Sequence, residues 1–253
     1  MMPMRIHRFE TVGSTNDIAL EMARRGELEG TVVLARSQSS GRGRRGRVWI
    51  DEPGSCVLMS VILRPDLPLE RLPELTFVAS VAVAEWLKGK FDLMPALKWP
   101  NDVLVGGRKI AGVLVETTGT AAVIGIGLNV NQASFPPEIA ESATSVAVET
   151  GSDQDVEAAG ESLARAVCAD YGAYLARGFE EILTRWRRYM WGVGKQASVT
   201  AEGRVLQGAV LGVDSSGALL LRDSGDEVHV IRVADSLSFS SVQESFLDAP
   251  GSR

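Results

Sequence analysis

Apolar positions along the chain change spacing at several points, and each change marks an element. After Ser14 and Thr15, candidate helix caps with Asp17 in the first turn, Ile18, Ala19, Met22 and Ala23 recur at helical spacing until Gly26 stops them. Thr31 to Ala35 (TVVLA) is a β-branched strand. Ser55 to Leu63 (SCVLMSVIL) is apolar without alternation, which predicts a strand buried on both faces. Leu72, Leu75, Val78, Ala79, Ala82 and Trp86 mark a long helix that ends near Gly89. Gly112 to Glu116 and Ala121 to Gly127 read as an antiparallel pair joined across Thr117 to Thr120. Val156 to Leu175 and Phe179 to Trp191 carry helical periodicity on either side of Gly178.

Beyond Trp191-Gly192-Val193-Gly194 the texture changes. Short strands at Ala197–Thr200, Val205–Val213, Ala218–Arg222 and Glu227–Val233 are split by Asp214-Ser215-Ser216-Gly217 and Asp223-Ser224-Gly225-Asp226, both turn-forming strings. This predicts a division into residues 1–191, a small β-barrel at 192–242, and a flexible tail at 243–253.

Composition narrows the class. The chain of 253 residues is 45% hydrophobic and 23% charged, with a net charge of -6. That balance speaks against a broad nucleic-acid-binding face. No apolar run approaches the roughly 20 residues that span a bilayer, and no secretory signal is visible. Cys56 and Cys168 lie in apolar surroundings without metal or redox spacing, which predicts reduced, buried thiols. His7 and His229 stand at opposite ends of the chain, leaving little room for zinc or histidine-triad chemistry.

Against this acidic background, Gly41-Arg42-Gly43-Arg44-Arg45-Gly46-Arg47-Val48-Trp49 holds four arginines and three glycines. It satisfies the spacing G-x-G-x-x-G, yet that fingerprint works where a helix opens at the glycines, and Ile50-Asp51-Glu52-Pro53-Gly54 cannot continue one. It also fits the kinase phosphate loop, but His-Arg-Asp and Asp-Phe-Gly strings are absent. Two readings stay open: a solvated basic loop, or a lid that gathers phosphate and carboxylate with guanidinium and backbone N–H groups. Lys98-Trp99-Pro100-Asn101-Asp102 places a cation, an amide and a carboxylate around a proline-forced turn, and a self-capping turn explains it equally well. Lys109 follows a Gly106-Gly107 hairpin turn, either as a surface residue or as a point charge aimed into a site. Gly125-Ile126-Gly127-Leu128-Asn129 alternates glycine with apolar residues, as strands do where something approaches closely.

Ser14-Thr15-Asn16, Gln38 through Trp49, Lys98 to Asp102, Lys109 to Gly112 with Glu116, and Gly125 to Asn129 occur in that order. Together they resemble the biotin protein ligases, or biotin–[acetyl-CoA-carboxylase] ligases, over nearly the whole chain. The resemblance implies an α+β fold, with a mixed-sheet catalytic domain related to class II tRNA synthetases and lipoate ligases, followed by an SH3-like barrel. It implies activation of biotin by ATP with Mg²⁺, and transfer to a lysine of a biotin carboxyl carrier protein. The implied biotin contacts are Ser14, Thr15, Asn16, Gln38, Arg42, Gly43, Arg44 and Lys109. Arg42, Arg44, Arg47, Trp49, Asn101 and Asn129 are implied on the nucleotide side, with packing the favoured role of Trp49. Lys109, Arg44 and Asp102 are the implied catalytic groups.

With the catalytic pattern beginning by Ile6, the resemblance is to a monofunctional, cytoplasmic ligase without a DNA-binding domain, with no DNA or membrane partner, and it allows a homodimer. Where family members often show Gly-Glu-Val-Ser-Leu-Arg, this chain has Ala234 to Phe239, without that arginine. A lipoate-type ligase of the same fold is the enzymatic alternative. A regulatory or nucleic-acid-binding module using the basic loop is the other class.

Overall fold

The structure, a computed structural model, describes residues 3–239, so the expected tail at 243–253 lies outside the described residues. The chain divides into two compact units. One runs to Trp191 and includes Ser215–Gly217; the other holds Gly192–Asp214 and the described residues from Ala218 onward.

The first unit is built on a seven-stranded mixed sheet. Its strands are β1 (Arg5–Val12), β2 (Thr31–Gln38), β3 (Cys56–Leu63), β4 (Pro95–Lys98), β5 (Asp102–Val105), β6 (Arg108–Thr118) and β7 (Ala121–Asn129), in the spatial order β1-β2-β3-β7-β6-β5-β4. Helix α1 (Thr15–Arg24) crosses between β1 and β2, which pair in parallel; every other neighbouring pair is antiparallel.

All eight residues of β3 are buried, as its unbroken apolar run predicts. The reason is a layer on each face. Ala19, Leu20 and Ala23 of α1 pack with Val33, Ile62 and Val123 on one side. On the other side α4 (Val156–Arg177) brings Gly160 against Leu34 and Val57. Helix α2 (Glu74–Phe91) is apolar nearly all round because it is enclosed, with α4 and α5 (Phe179–Tyr189) among its neighbours. Phe77 meets the ring of Phe179 edge-on at 5.4 Å, and the buried Trp186 indole donates to Ser80 Oγ at 3.2 Å.

Several boundaries differ from the pattern. Ser14 is the N-cap of α1 but makes no side-chain cap bond; the Thr15 N–H is instead taken by Gln38 Oε1 at 2.7 Å. Helix α5 stops at Tyr189, because Met190 turns extended to bridge Leu97 and Trp191 N donates to the Leu97 carbonyl. Strand β1 is largely exposed and shows no alternation, so periodicity does not reveal it. The short helix α3 (Val146–Thr150) is likewise outside the sequence pattern; Ser145 caps it through Val148 N.

The second unit is a five-stranded antiparallel sheet. Its strands are β8 (Gln196–Ala201), β9 (Arg204–Val213), β10 (Leu219–Arg222), β11 (Val228–Ile231) and β12 (Ser236–Phe239), ordered β11-β10-β9-β8-β12. Four correspond to the expected strands; β12 is additional. Asp223 Oδ1 accepts from both Gly225 N and Glu227 N, the aspartate-capped turn that the sequence predicts. Among the described residues, no helix is long and apolar enough to cross a membrane.

Candidate active site

The sheet face that carries α1 presents a straight cross-strand row. Leu58 on β3 pairs with Gly127 on β7, Gly127 with Gly112 on β6, Gly112 with Asp102 on β5, and Asp102 with Lys98 on β4. Residues paired this way share a face. The two glycines clear the floor of that row. A Cβ on Gly127 would stand 2.5 Å from Trp49 Cε2, and one on Gly112 would stand 3.2 Å from Lys109 Nζ. Trp49 lies over both glycines, consistent with a packing role. Its indole Nε1 is nevertheless buried without a hydrogen-bond partner.

Beside this row sits a neutral polar cluster. Ser60, fully buried in β3, donates to Asn16 Oδ1 at 2.6 Å and lies 2.8 Å from Thr15 Oγ1. Thr15 Oγ1 is in turn 3.2 Å from Gln38 Oε1. Gly125 leaves room for Asn16, since an added Cβ would stand 2.2 Å from Asn16 Oδ1 and displace that side chain. Ser14, Thr15 and Asn16 are all nearly inaccessible. Asp51 supports the pocket from behind, accepting from Ser37 Oγ at 3.2 Å and from Gln38 N at 3.4 Å, and burial pushes its carboxyl pKa up.

Cations border the pocket. Asn16 Nδ2 donates to Glu116 Oε2 at 2.7 Å, and the same carboxylate receives Arg42 Nη2 at 3.1 Å. Arg42 also meets Asp17 Oδ1 at 2.6 Å. Lys109 Nζ stands 2.6 Å from Asp102 Oδ1 and 5.8 Å from the centre of the Trp49 ring. The basic loop folds back on itself: Gly43 N donates to the Arg47 carbonyl at 2.7 Å and Trp49 N to the Gly41 carbonyl at 3.0 Å. Arg45 takes φ 57, and Gly46 φ 73. Arg44 Nη1 reaches Asn101 Oδ1 at 3.5 Å, while Asn101 Nδ2 donates to the Val113 carbonyl at 2.9 Å. That turn contains a cis peptide at Trp99-Pro100.

The expected residues therefore gather on one face. Thr15, Asn16 and Gln38 form the pocket, with Ser14 at the start of α1. Arg42, Gly43, Arg44 and Arg47 lie on the adjoining loop, and Lys109, Asp102 and Asn101 at the ends of β5 and β6. Asn129 stands apart: it is buried at the end of β7, and its amide donates to the Thr144 carbonyl at 2.9 Å. This bond holds a segment that clamps Lys109, whose N–H donates to the Ser142 carbonyl and whose carbonyl accepts from Thr144 N. Sequence reasoning missed Ser60, Asp17 and Asp51, and assigned Glu116 no role. A lone serine inside an apolar strand was the available signal for Ser60.

For Mg²⁺, the face does not offer a protein cage. The only group of three carboxylate, histidine or cysteine ligands that clusters among the described residues is Asp223, Glu227 and His229 in the second unit. Of the carboxylates at the face, Asp102 is engaged by Lys109, and Asp17 and Glu116 by Arg42.

Residues 9–131 match the model of the Biotin/lipoate A/B protein ligase family. A biotin–[acetyl-CoA-carboxylase] ligase of Paracoccus denitrificans is 36% identical, over 83% of this chain and 90% of that protein. A bifunctional ligase/repressor of Bacillus subtilis is 36% identical over 89% of this chain and 71% of its own length. Among solved structures, the biotin protein ligase of Aquifex aeolicus in complex with biotin and ATP superposes with a TM-score of 0.84 at 28% identity, covering 93% of this chain and 99% of that one. A glycine-floored face bordered by a neutral pocket and a cationic loop, relatives of this identity and a shared architecture lead to one assignment: the chain belongs to the biotin protein ligases of the Biotin/lipoate A/B protein ligase family.

Proposed function

We infer that the protein activates biotin with ATP and transfers it to a lysine of a biotin carboxyl carrier protein. The observation that carries this reading is adjacency. A neutral donor–acceptor pocket of Thr15, Asn16, Gln38 and Ser60 runs directly into the cations Arg42, Arg44 and Lys109. A cyclic ureido group, with N–H donors and a carbonyl acceptor, suits the first; a carboxylate meeting an α-phosphate suits the second.

In the first step a biotin carboxylate oxygen attacks the α-phosphorus, the bond to the bridging oxygen breaks, and pyrophosphate leaves. Two anions must approach, so the barrier is electrostatic. Lys109 stabilises the charge on the reacting oxygens as a compact cation, with its backbone clamped on both sides. Arg42 takes the acid's carboxylate and the phosphate. Its pairs with Asp17 and Glu116 are partly exposed and hold by no more than about 1 kcal/mol, so an anionic substrate can take it over. Arg44, with Gly43 and Arg47 in the same loop, closes over the mixed anhydride. Asn101 and Trp49 lie on the nucleotide side, where the buried Trp49 Nε1 is an available donor, and Asn129 acts indirectly by holding the segment that clamps Lys109. In the second step the carrier lysine amine attacks the acyl carbon, AMP departs, and the amine proton is lost; Asp102 orients that amine. Mg²⁺ would be carried by the nucleotide phosphates, since the described residues of this face offer it no carboxylate cage, and would supply charge neutralisation there.

The carboxylase carrier protein is the macromolecular partner. A net charge of -6 supports a site without DNA, and free, buried Cys56 and Cys168 suit a reducing cytoplasm. Burial raises both thiol pKa values to about 11, leaving them unreactive.

The experiment is competition between biotin and lipoate for adenylate formation from ATP. Biotinyl-AMP accumulating while lipoate neither reacts nor inhibits is the expected result. Preferential lipoyl-AMP would transfer the assignment to the lipoate branch.

A further inference from the structure

The row Gly127–Gly112–Asp102–Lys98 runs on beyond Lys109 to β4, at the edge of the sheet. Lys98 is half-buried, directly opposite Asp102 in the β4–β5 register, and shares its face. Asp102 already pairs with Lys109, and Lys98 lies within electrostatic reach of Asp102, Lys109 and Arg47. Burial foremost, then Lys109 and Arg47, lower the Lys98 pKa, while Asp102 raises it. A multiply charged anion beside Lys98 would favour its charged form.

Direction along the sheet decides which anion. Strands are spaced by about 4.8 Å, so Lys98 on β4 stands two strands, roughly 10 Å, beyond β6. The polar pocket lies on the opposite side of β6, at Ser60 and Gly125. An in-line displacement at the α-phosphorus places the leaving group opposite the attacking carboxylate. An acid held in the pocket and attacking near Lys109 therefore expels its leaving group towards β4.

We propose that Lys98 is a further catalytic residue of adenylation, binding the β- and γ-phosphates of ATP and stabilising the departing pyrophosphate. The proposal rests on the biotin-ligase reading of the same face. It requires that Lys98 act in the first half-reaction only, because no pyrophosphate is present when the carrier lysine attacks.

The test separates the two halves in the full-length protein. Lys98→Met retains the length of the side chain and removes the charge; Lys98→Gln is the second variant should Lys98→Met not fold. Single-turnover formation of biotinyl-AMP is measured from biotin and ATP, and transfer to carrier protein is measured from supplied biotinyl-AMP. Adenylation is expected to fall by roughly 10²-fold, the usual cost of removing one such stabilising group, with the KM for pyrophosphate raised in the exchange reaction and transfer unchanged. Lys98→Arg should recover part of the loss. Equal losses in both halves, or no loss in adenylation, would overturn the proposal. Wild-type protein in the same assay keeps the two readings apart: if it forms no biotinyl-AMP, the function assignment fails, not the role of Lys98.

Discussion

Lys109 shows how a single charge acquires direction. A flexible lysine is ordinarily a poor instrument of orientation, but here its N–H and carbonyl are both bonded to residues 142–144, and its ammonium rests on Asp102. Lys109→Ala should leave the fold intact and lower single-turnover adenylation by roughly 10²–10³-fold; near-normal adenylation in the folded variant would remove Lys109 from the chemistry. Gly125 offers a steric counterpart. Its missing side chain is what admits Asn16, so Gly125→Ala should displace Asn16 and raise the KM for biotin far more than it lowers the melting temperature. A pure loss of stability with normal biotin binding would contradict that reading. At this scale the sequence was partly legible. The pocket residues Thr15, Asn16 and Gln38 stood out through family resemblance, whereas Ser60 was hidden inside an apolar strand and Asp17 passed for a helix-cap acid. Ser60 is distinguished by its contact with Asn16 across 44 residues of chain, and Asp17 by its pair with Arg42; local patterns carry neither.

At the scale of elements, the basic loop is the part proposed to retain the anhydride. Its arginines repel one another, and its ties include the backbone bonds Gly43–Arg47 and Trp49–Gly41 and pairs such as Arg42 with Asp17. We expect residues 41–47 to be cleaved by protease without ligand and protected by biotin with ATP, because an anion gathers the guanidinium groups. Arg44→Gly should then weaken retention of biotinyl-AMP more than its synthesis, and the escaping anhydride should label lysines on an unrelated protein. Equal bystander labelling by wild type and variant, at matched adenylation rates, would argue against the lid. The loop was visible in composition, as were β3 and the β6–β7 pair in their apolar runs. Strand β1 and the four-residue strands β4 and β5 were not, although β4 and β5 carry Lys98 and Asp102 into the site. Short or half-exposed strands take their identity from pairing partners, not from periodicity.

For the whole molecule, the proposed reaction is laid out along the sheet: acid at β3 and β7, reacting oxygens at β6, leaving group towards β4. The helices α1, α2 and α4 make that layout rigid by burying both faces of the central strands. The second unit follows the change of texture after Trp191, and its strand β12 is only four residues long, too short for periodicity to reveal. The central claim, that this face joins biotin's carboxylate to the α-phosphate of ATP, is tested most directly by exchange of labelled pyrophosphate into ATP with and without biotin. Exchange is expected to depend on biotin and to fall by roughly 10²–10³-fold in Lys109→Ala. Exchange that proceeds equally without biotin, or none in the presence of biotin, ATP and Mg²⁺, would contradict it.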